Sequence, residues 1–307
     1  PDRAERIGFS TDFFSDRMTD IDGMADIKNA INEPNATGDS SATYAAFDEA
    51  SLLADAAGVL TSHHLDQPDW FALHINSLLD IQVKPAFCCV RFARPLDVLS
   101  SAILQGGKSR ATGWLNLRVG NNASTARPLP SPEETLKKAC EVLGMSLPVV
   151  GMMTAASMKS CRVRYIKRDH VFVCCVATTG IANARRAGDP ADAEGWQACQ
   201  RTAGVLPAGT INIAVFTNAN LSDTAKVEAL QIIAEAKAAA CHDGNVISPL
   251  SQLAATGTGT DSTAVFSDPE GVPIDYCGKH VVMGELIGSL VYDVVQEGIA
   301  ACQSVSA

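Results

Sequence analysis

The chain has 307 residues, of which 47% are hydrophobic and 19% are charged, and its formal net charge at pH 7 is −10. This composition excludes a disordered chain, and the acidic balance argues against general nucleic-acid binding and against docking on an anionic membrane surface. No apolar run reaches the roughly 20 residues of a membrane-spanning helix, so we expect a cytoplasmic protein, monomeric or homo-oligomeric, whose partner is a small molecule.

The first 80 residues differ from the remainder. A polar, turn-rich stretch at 29–50 is followed by a segment typical of short helices interrupted at Pro68. We therefore assign residues 1–80 to an N-terminal extension of helices and loops, and residues 81–307 to one domain.

The elements of that domain can be predicted from their caps and apolar patterns. Ser131 before Pro132 is a helix-start signal, and Gly244 is a stop signal. In chain order we predict two short strands flanking Pro95 as a hairpin or edge pair, a strand at 114–122, a helix at 131–144, strands at 170–180 and 209–218, a helix at 222–244, a strand at 259–268 and a helix at 278–302. Strands and helices do not alternate regularly, which favours an α+β fold of mixed β-sheets layered with amphipathic helices, such as an α-β-β-α sandwich.

The helix at 222–244 should pack against a sheet that contains residues 210–217. On a helical wheel its apolar stripe contains Val227, Leu230, Ile233 and Ala234. Lys237 falls within this stripe. Its ammonium therefore either reaches water near the helix end or points into a site.

The chain contains ten cysteines, including the adjacent pairs Cys88-Cys89 and Cys174-Cys175 in strand-like runs. Neighbours in a strand point to opposite faces, so neither pair can clip a metal ion. We expect reduced cysteines that serve as small buried hydrophobic residues. No segment concentrates histidine, cysteine and carboxylate ligands, so we expect neither a metal nor another cofactor.

The segment TTGIANARRAGDP, residues 178–190, places two arginines beside Asn183 and Asp189. Asp189-Pro190 is typical of a helix start, in which case the arginines are solvated loop charges. Alternatively the segment is a pocket wall, in which amides orient a substrate and an arginine neutralises an anion.

The segment ATGTGTDS, residues 255–262, alternates glycines with Thr256, Thr258 and Thr260 and ends on Asp261. Glycines let the backbone approach a ligand closely, and hydroxyls both donate and accept hydrogen bonds. The segment is not a phosphate-binding P-loop, because it has no G-K-[ST] and it precedes a strand. It is either a ligand loop or a structural turn.

Two further candidates lie near the last helix. His280 stands at a loop-to-helix junction, where an imidazole suits acid–base work, although most lone histidines are structural. Glu285 lies on the polar side of the helix, where a solvated residue is the alternative.

Taken together and in order, eight segments resemble the adenosylcobinamide amidohydrolase family: VLSSAILQGG, WLNLRV, GMMTAAS, TTGIANARRAGDP, GTINIAVFTNANLS, EAKAAA, ATGTGTDS and GKHVVMGELIG. The resemblance implies an amidohydrolase of corrinoid salvage that cleaves the aminopropanol amide of adenosylcobinamide and releases adenosylcobyric acid. It makes residues 81–307 an amidohydrolase-like domain. The positions that match the family's motifs are Asn183, Arg186, Asp189, Asn212, Lys237, Thr258, Asp261, His280 and Glu285.

Roles follow from the needs of amide hydrolysis: an activated water or nucleophile, oxyanion stabilisation and a proton for the leaving amine. Asp261 or His280 could be the base, and His280 or Lys237 could supply the proton. The catalytic candidates are thus His280, Asp261, Lys237 and Glu285, and the substrate-binding candidates are Asn183, Arg186, Asp189, Asn212, Thr258 and Thr260. We expect the segments at 183–190, 256–261 and 278–280 to meet in one pocket.

Two other functions fit the same motifs. The scaffold could act on a different small molecule, for example as a non-hydrolytic cyclase of specialised metabolism, because one fold hosts several reactions. It could also hold a corrinoid without catalysis.

Overall fold

The computed structural model describes residues 72–75, 77–119, 130–192 and 209–304. The strands are β1 (Ala72–Ile75), β2 (Leu79–Lys84), β3 (Phe87–Ser100), β4 (Gly107–Arg118), β5 (Val149–Thr154), β6 (Arg162–Arg168), β7 (Val171–Thr179), β8 (Ala184–Arg185), β9 (Ile211–Thr217), β10 (Asn220–Leu221), β11 (Gly257–Thr258), β12 (Ser262–Ser267) and β13 (Pro273–Ile274). The α-helices are α1 (Pro132–Val142), α2 (Asp223–Asp243) and α3 (Val282–Ser304).

Nine strands form one mixed sheet in the order β1-β2-β3-β12-β9-β7-β6, and β4 pairs with both β3 and β5. The β12–β9 and β4–β5 pairs are parallel, and the other pairs in this sheet are antiparallel. Two short ribbons, β8–β11 and β10–β13, lie beside the sheet. The α+β prediction with a mixed sheet is confirmed.

The sheet curls along β3, whose first half pairs with β2 and whose second half pairs with β12. The inner faces of the two halves enclose a core in which the rings of Phe216 and Phe266 stack at 4.8 Å. The predicted hairpin at Pro95 is wrong. The two runs form one strand, β3, which pairs with β4 on both sides of Pro95. A register shift between Arg91 and Leu96 leaves Pro95, which has no N–H to donate, out of this pairing.

Helices cover the outside of this curled sheet on two sides. α2 and α3 pack on the outer face of β7, β9 and β12, and α1 packs on β4 and β5. The layers therefore run α-β-β-α, although the two β layers belong to one sheet. No helix in the described ranges is long and apolar enough to cross a membrane.

Helix α2 begins after Ser222, whose hydroxyl accepts from Ala225 N, and ends at the predicted Gly244. Its packing on the sheet that contains β9 is confirmed, because Ile233 is buried in one cluster with residues of β7, β9 and β12. The predicted stripe was out of phase, since Val227 and Ala234 are exposed. The helix packs against α3 as well as the sheet, so its buried arc is rotated and consists of Ala225, Lys226, Ala229, Ile232, Ile233, Ala240 and Cys241.

The adjacent cysteines divide between cores as strand alternation predicts. Cys174 faces the inner core and Cys175 faces the α2–α3 side. Cys88 likewise faces the inner core, and Cys89 faces α1. Burial raises the pKa of the Cys89 thiol to about 12, so this thiol is not a nucleophile at neutral pH.

The main sheet begins before residue 81. Residues 72–75 form β1, so the helical prediction is wrong there, and β2 starts at Leu79. β1 and β2 complete the edge of the sheet and cover the inner core. The remainder of the predicted extension, residues 1–71, lies outside the described residues.

A buried carboxylate ties β12 to the bend of β3. Burial alone would raise the pKa of Asp268, but hydrogen bonds from Arg94 and from Glu270 N, with the Arg94 charge, hold that pKa below its usual value. A depressed pKa contributes stability above the unfolded-state pKa near 4, and this contribution is lost as pH falls through the native value.

We expect Asp268→Asn to lower the free energy of unfolding by about 1–3 kcal/mol at pH 7, with the difference shrinking below about pH 4. Urea unfolding at pH 7 and pH 3.5 measures both values. The control is Asp97→Asn. Asp97 pairs with Arg110 and is more exposed than Asp268, so its loss should cost less than about 1 kcal/mol. Equal losses in the two variants would contradict the expectation.

Candidate active site

Polar residues collect at the end of the sheet where β7 ends and β9 and β12 begin. Asn212 on β9 lies between Thr178 of β7 and Ser262 of β12. Its Nδ2 donates to Asn116 Oδ1 and to Met153 O, both at 2.9 Å. Asn212 is fully buried and bonded within the protein, so its role is to fix the strand ends on which the candidate site is built.

The β8–β11 ribbon joins two of the predicted segments. Arg185 pairs with Gly257 and Ala184 with Thr258, and Gly259 N donates to Asn183 O at 3.2 Å. Directly opposite residues of an antiparallel pair project from the same face. One face of the ribbon therefore carries Asn183 and Arg185 opposite two glycines.

The glycine opposite Asn183 leaves room for its amide. A Cβ on Gly259 would lie only 3.0 Å from Asn183 Nδ2. Asn183 is buried, and Gly209, with a φ of +125°, passes so close that a Cβ there would lie 2.7 Å from Asn183 N. The backbone of both loops is thus packed directly around this amide.

Lys237 and Asp261 form an ion pair beside the ribbon. Lys237 Nζ, from α2, donates to Asp261 Oδ2, and the two side chains are only 15% and 11% exposed. Asp261 also accepts from Ile211 N at 2.9 Å, from Thr258 N at 3.0 Å and from the Thr258 hydroxyl. Lys237 therefore points toward Asp261 and Thr258 rather than into water, and we call these three residues with Asn183 and Arg185 of the ribbon the cluster.

The hydrogen bonds of this pair give the Asp261 carboxylate and the Lys237 ammonium different chemical roles. The Asp261 oxygens are engaged by four donors, which leaves little capacity to take a proton from water. The ammonium of Lys237 is held in one position and can donate a proton. Asp261 is therefore better suited to positioning Lys237 than to acting as the base.

Arg186 and Asp189 hold the loop rather than face the ribbon. Arg186 is exposed and its Nη1 donates to Ala254 O at 2.8 Å. Asp189 accepts from Ser248 Oγ at 2.6 Å and from Arg186 N at 2.8 Å. Both bonds lower the pKa of Asp189, and the bond from Ser248 has the larger effect. The sequence indicated a helix start at Asp189-Pro190. Residues 193–208, where such a helix would continue, lie outside the described ranges.

The sequence reasoning missed Arg185 and chose its neighbour. Arg185 Nη2 pairs with Asp192, and the Arg185 side chain is 20% exposed. Composition cannot distinguish adjacent arginines. The signal was available in strand periodicity, because Arg185 lies two residues from Asn183 and so shares its face.

Glu285 is not brought to this cluster. Its Oε2 lies 3.5 Å from Arg168 Nη1, and Arg168 pairs with Val171 at the start of β7. The cluster lies at the other end of this nine-residue strand, which is about 26 Å long.

His280 stands in a segment that contacts α2 through its neighbours Cys277 and Lys279. It is exposed in the turn before α3, and the preceding Cys277 N donates to Glu228 Oε2 at 2.6 Å. The adjacent Lys279 pairs with Glu235 of α2, and both of these side chains are more than half exposed. The structure thus brings two of the three expected segments together. In the described ranges, no three histidine, cysteine or carboxylate side chains are grouped as metal ligands.

Comparison with known proteins places this arrangement in a family. Residues 73–307 match the family described as adenosylcobinamide amidohydrolase. The uncharacterized protein MJ1613 of Methanocaldococcus jannaschii is 35% identical over 158 residues, which are 48% of this chain and 61% of that protein, so the match spans less than two thirds of the relative. The crystal structure of the PH0078 protein from Pyrococcus horikoshii OT3 covers 76% of this chain and 82% of its own, at 11% identity and a TM-score of 0.33. Because the family match spans most of its length, the chain belongs to the adenosylcobinamide amidohydrolase family.

Proposed function

We propose that the protein hydrolyses the amide between aminopropanol and the corrin side chain of adenosylcobinamide, releasing adenosylcobyric acid and aminopropanol. Membership of the adenosylcobinamide amidohydrolase family supports an amidohydrolase activity. The observation that carries the proposal is the Lys237–Asp261 pair, which lies where the 183–190 and 256–261 segments meet. A positioned proton donor meets one of the three needs of amide hydrolysis, and the neighbouring Asn183 amide can orient a neutral amide substrate.

Lys237 supplies the proton for the leaving nitrogen in this mechanism. An amine leaves from a tetrahedral intermediate only after its nitrogen is protonated, and Lys237 is the ammonium that the cluster holds in place. Asp261 is a positioning residue, because its four donors fix both oxygens and hence the Lys237 contact. Asn183 is a donor and acceptor that orients the substrate amide from the ribbon face.

The two loop threonines shape the site in this proposal. The Thr258 hydroxyl donates to Asp261, and the Thr260 hydroxyl donates to Gly209 O at 3.1 Å. Both hydroxyls are used within the protein, so they order the glycine-rich loop around Lys237. His280 and Glu285 have no part in the proposed chemical step.

The test uses the full chain incubated with adenosylcobinamide. We expect adenosylcobyric acid and aminopropanol in equal amounts by liquid chromatography and mass spectrometry, with turnover retained after dialysis against EDTA. Tight binding without products would favour a corrinoid-binding protein. Neither binding nor products would favour another substrate.

A further inference from the structure

Arg185 carries a buried N–H group that no described residue accepts. Its Nη2 pairs with Asp192 near the surface, whereas its Nη1 is buried and has no hydrogen-bond partner among the described residues. A guanidinium has five N–H donors and no acceptor, so this group needs an oxygen that the described residues do not supply. Because buried donors without acceptors are costly, a substrate oxygen is the expected partner.

The side chain of Arg185 leaves the ribbon on the side of Lys237. Arg185 is directly opposite Gly257, and a Cβ on Gly257 would lie 2.8 Å from Lys237 Nζ. The stem of Arg185 also runs along the next glycine, since its Cγ would lie 3.7 Å from a Cβ on Gly259. Arg185, Lys237 and Asn183 therefore surround the same face of the ribbon.

The charges around the ribbon indicate which oxygen fits. The cations and carboxylates balance: Lys237, Arg185 and Arg186 against Asp189, Asp192 and Asp261. A phosphate ester would bring a stable negative charge into a site whose described residues carry no surplus cation to attract it. A neutral amide, whose oxygen becomes negative only in the transition state, suits this balance better.

We propose that Arg185 Nη1 donates to the oxygen of the scissile carbonyl, an inference that rests on the function proposed above. The oxygen of water forms the new bond to the carbonyl carbon, and the carbonyl π pair moves onto the oxygen held by Arg185. As that pair returns, the C–N bond breaks and the nitrogen takes a proton from Lys237. One proton of the added water passes to the neutral Lys237 amine and restores its ammonium, and the other passes to the released amine. The products are therefore a carboxylate held against Arg185 and the aminopropanol ammonium.

The experiment compares the full chain with Arg185→Gln in steady-state kinetics and in calorimetric binding of substrate and product. We expect kcat to fall about 10²–10³-fold, because an oxyanion donor acts in the transition state, with KM changed less than about tenfold. Binding of adenosylcobyric acid should weaken by about tenfold or more, and binding of adenosylcobinamide by about threefold or less.

The matched control is Arg110→Gln, which removes another arginine paired with an aspartate on a strand outside the cluster and should retain the parent kcat. Circular dichroism checks folding. Should Arg185→Gln not fold, Arg185→Lys keeps the charge without the planar fork and should still lower kcat about tenfold.

Each contrary outcome has a distinct meaning. A parent protein that cleaves adenosylcobinamide, with Arg185→Gln equally active, overturns the inference alone. A raised KM at unchanged kcat also overturns it, because the contact would then exist equally in the ground state. If the parent protein neither binds nor cleaves the corrinoid, the proposed function is wrong and the inference is wrong with it.

Discussion

Lys237→Met is expected to lower the turnover of adenosylcobinamide by about 10²–10⁴-fold while leaving its binding nearly unchanged. Methionine keeps an unbranched side chain of similar length, so the loss reports the ammonium and not the packing of its stem. The missing group is the one that protonates the leaving nitrogen, and Asp261 cannot replace it because its oxygens accept from Ile211 and Thr258. Single-turnover kinetics with mass detection of adenosylcobyric acid measures the chemical step directly.

The same helix offers a matched control. Lys226 is also buried, but its Nζ donates to Leu221 O at 2.8 Å, near the other end of α2. Burial lowers the pKa of Lys226, yet no substrate group is expected near it. Lys226→Met should therefore retain turnover whatever it does to stability. Equal losses in the two variants would show that α2 merely needs a buried cation, and the proton-donor role would be abandoned.

The elements that the sequence predicted well are those with local signals. The capping box of Ser131 and Glu134 fixes the start of α1, and Ser222 and Gly244 bound α2. These motifs satisfy the orphan backbone groups of a helix end, and they need no knowledge of distant residues.

What depends on tertiary packing was harder to predict. The two runs that flank Pro95 form one strand, β3, because β4 pairs with both of them. The buried arc of α2 depends on α3, whose Gly288 lets Ile232 approach. Neither partner can be read from the segment itself, because a helical wheel shows a stripe but not the number of surfaces that will cover it.

The candidate site divides in the same way. Asn183 precedes two arginines, and Asp261 follows alternating glycines and threonines, so both segments could be proposed as ligand loops before their pairing was known. His280 was chosen for its residue type at a helix start, and Glu285 because it matches the family's motifs. The direction of α3 places Glu285 near Arg168, at the far end of the sheet. Chemical suitability therefore suggests candidate loops but cannot determine which end of the sheet each one occupies.

Gly257→Ala should reduce turnover by about tenfold to a hundredfold, because a Cβ there would lie 2.2 Å from Asp261 Oδ2 and 2.8 Å from Lys237 Nζ. No real side chain makes such contacts, so either the carboxylate or the loop must move and the proton donor moves with it. The φ of +157° at Gly257 adds backbone strain, and the total loss in the free energy of unfolding should be about 1–3 kcal/mol.

Gly107→Ala separates the strain from the contact. Gly107 also has a positive φ, +85°, but a Cβ there would meet nothing within 4 Å, and the residue lies at the start of β4, outside the 183–190 and 256–261 loops. Its alanine variant should lose stability to strain while its kcat stays at the parent value. Thermal unfolding and steady-state kinetics on both variants give the comparison. If Gly257→Ala lost no more activity than Gly107→Ala, the close approach of the glycine-rich loop to the Lys237–Asp261 pair would not matter for turnover.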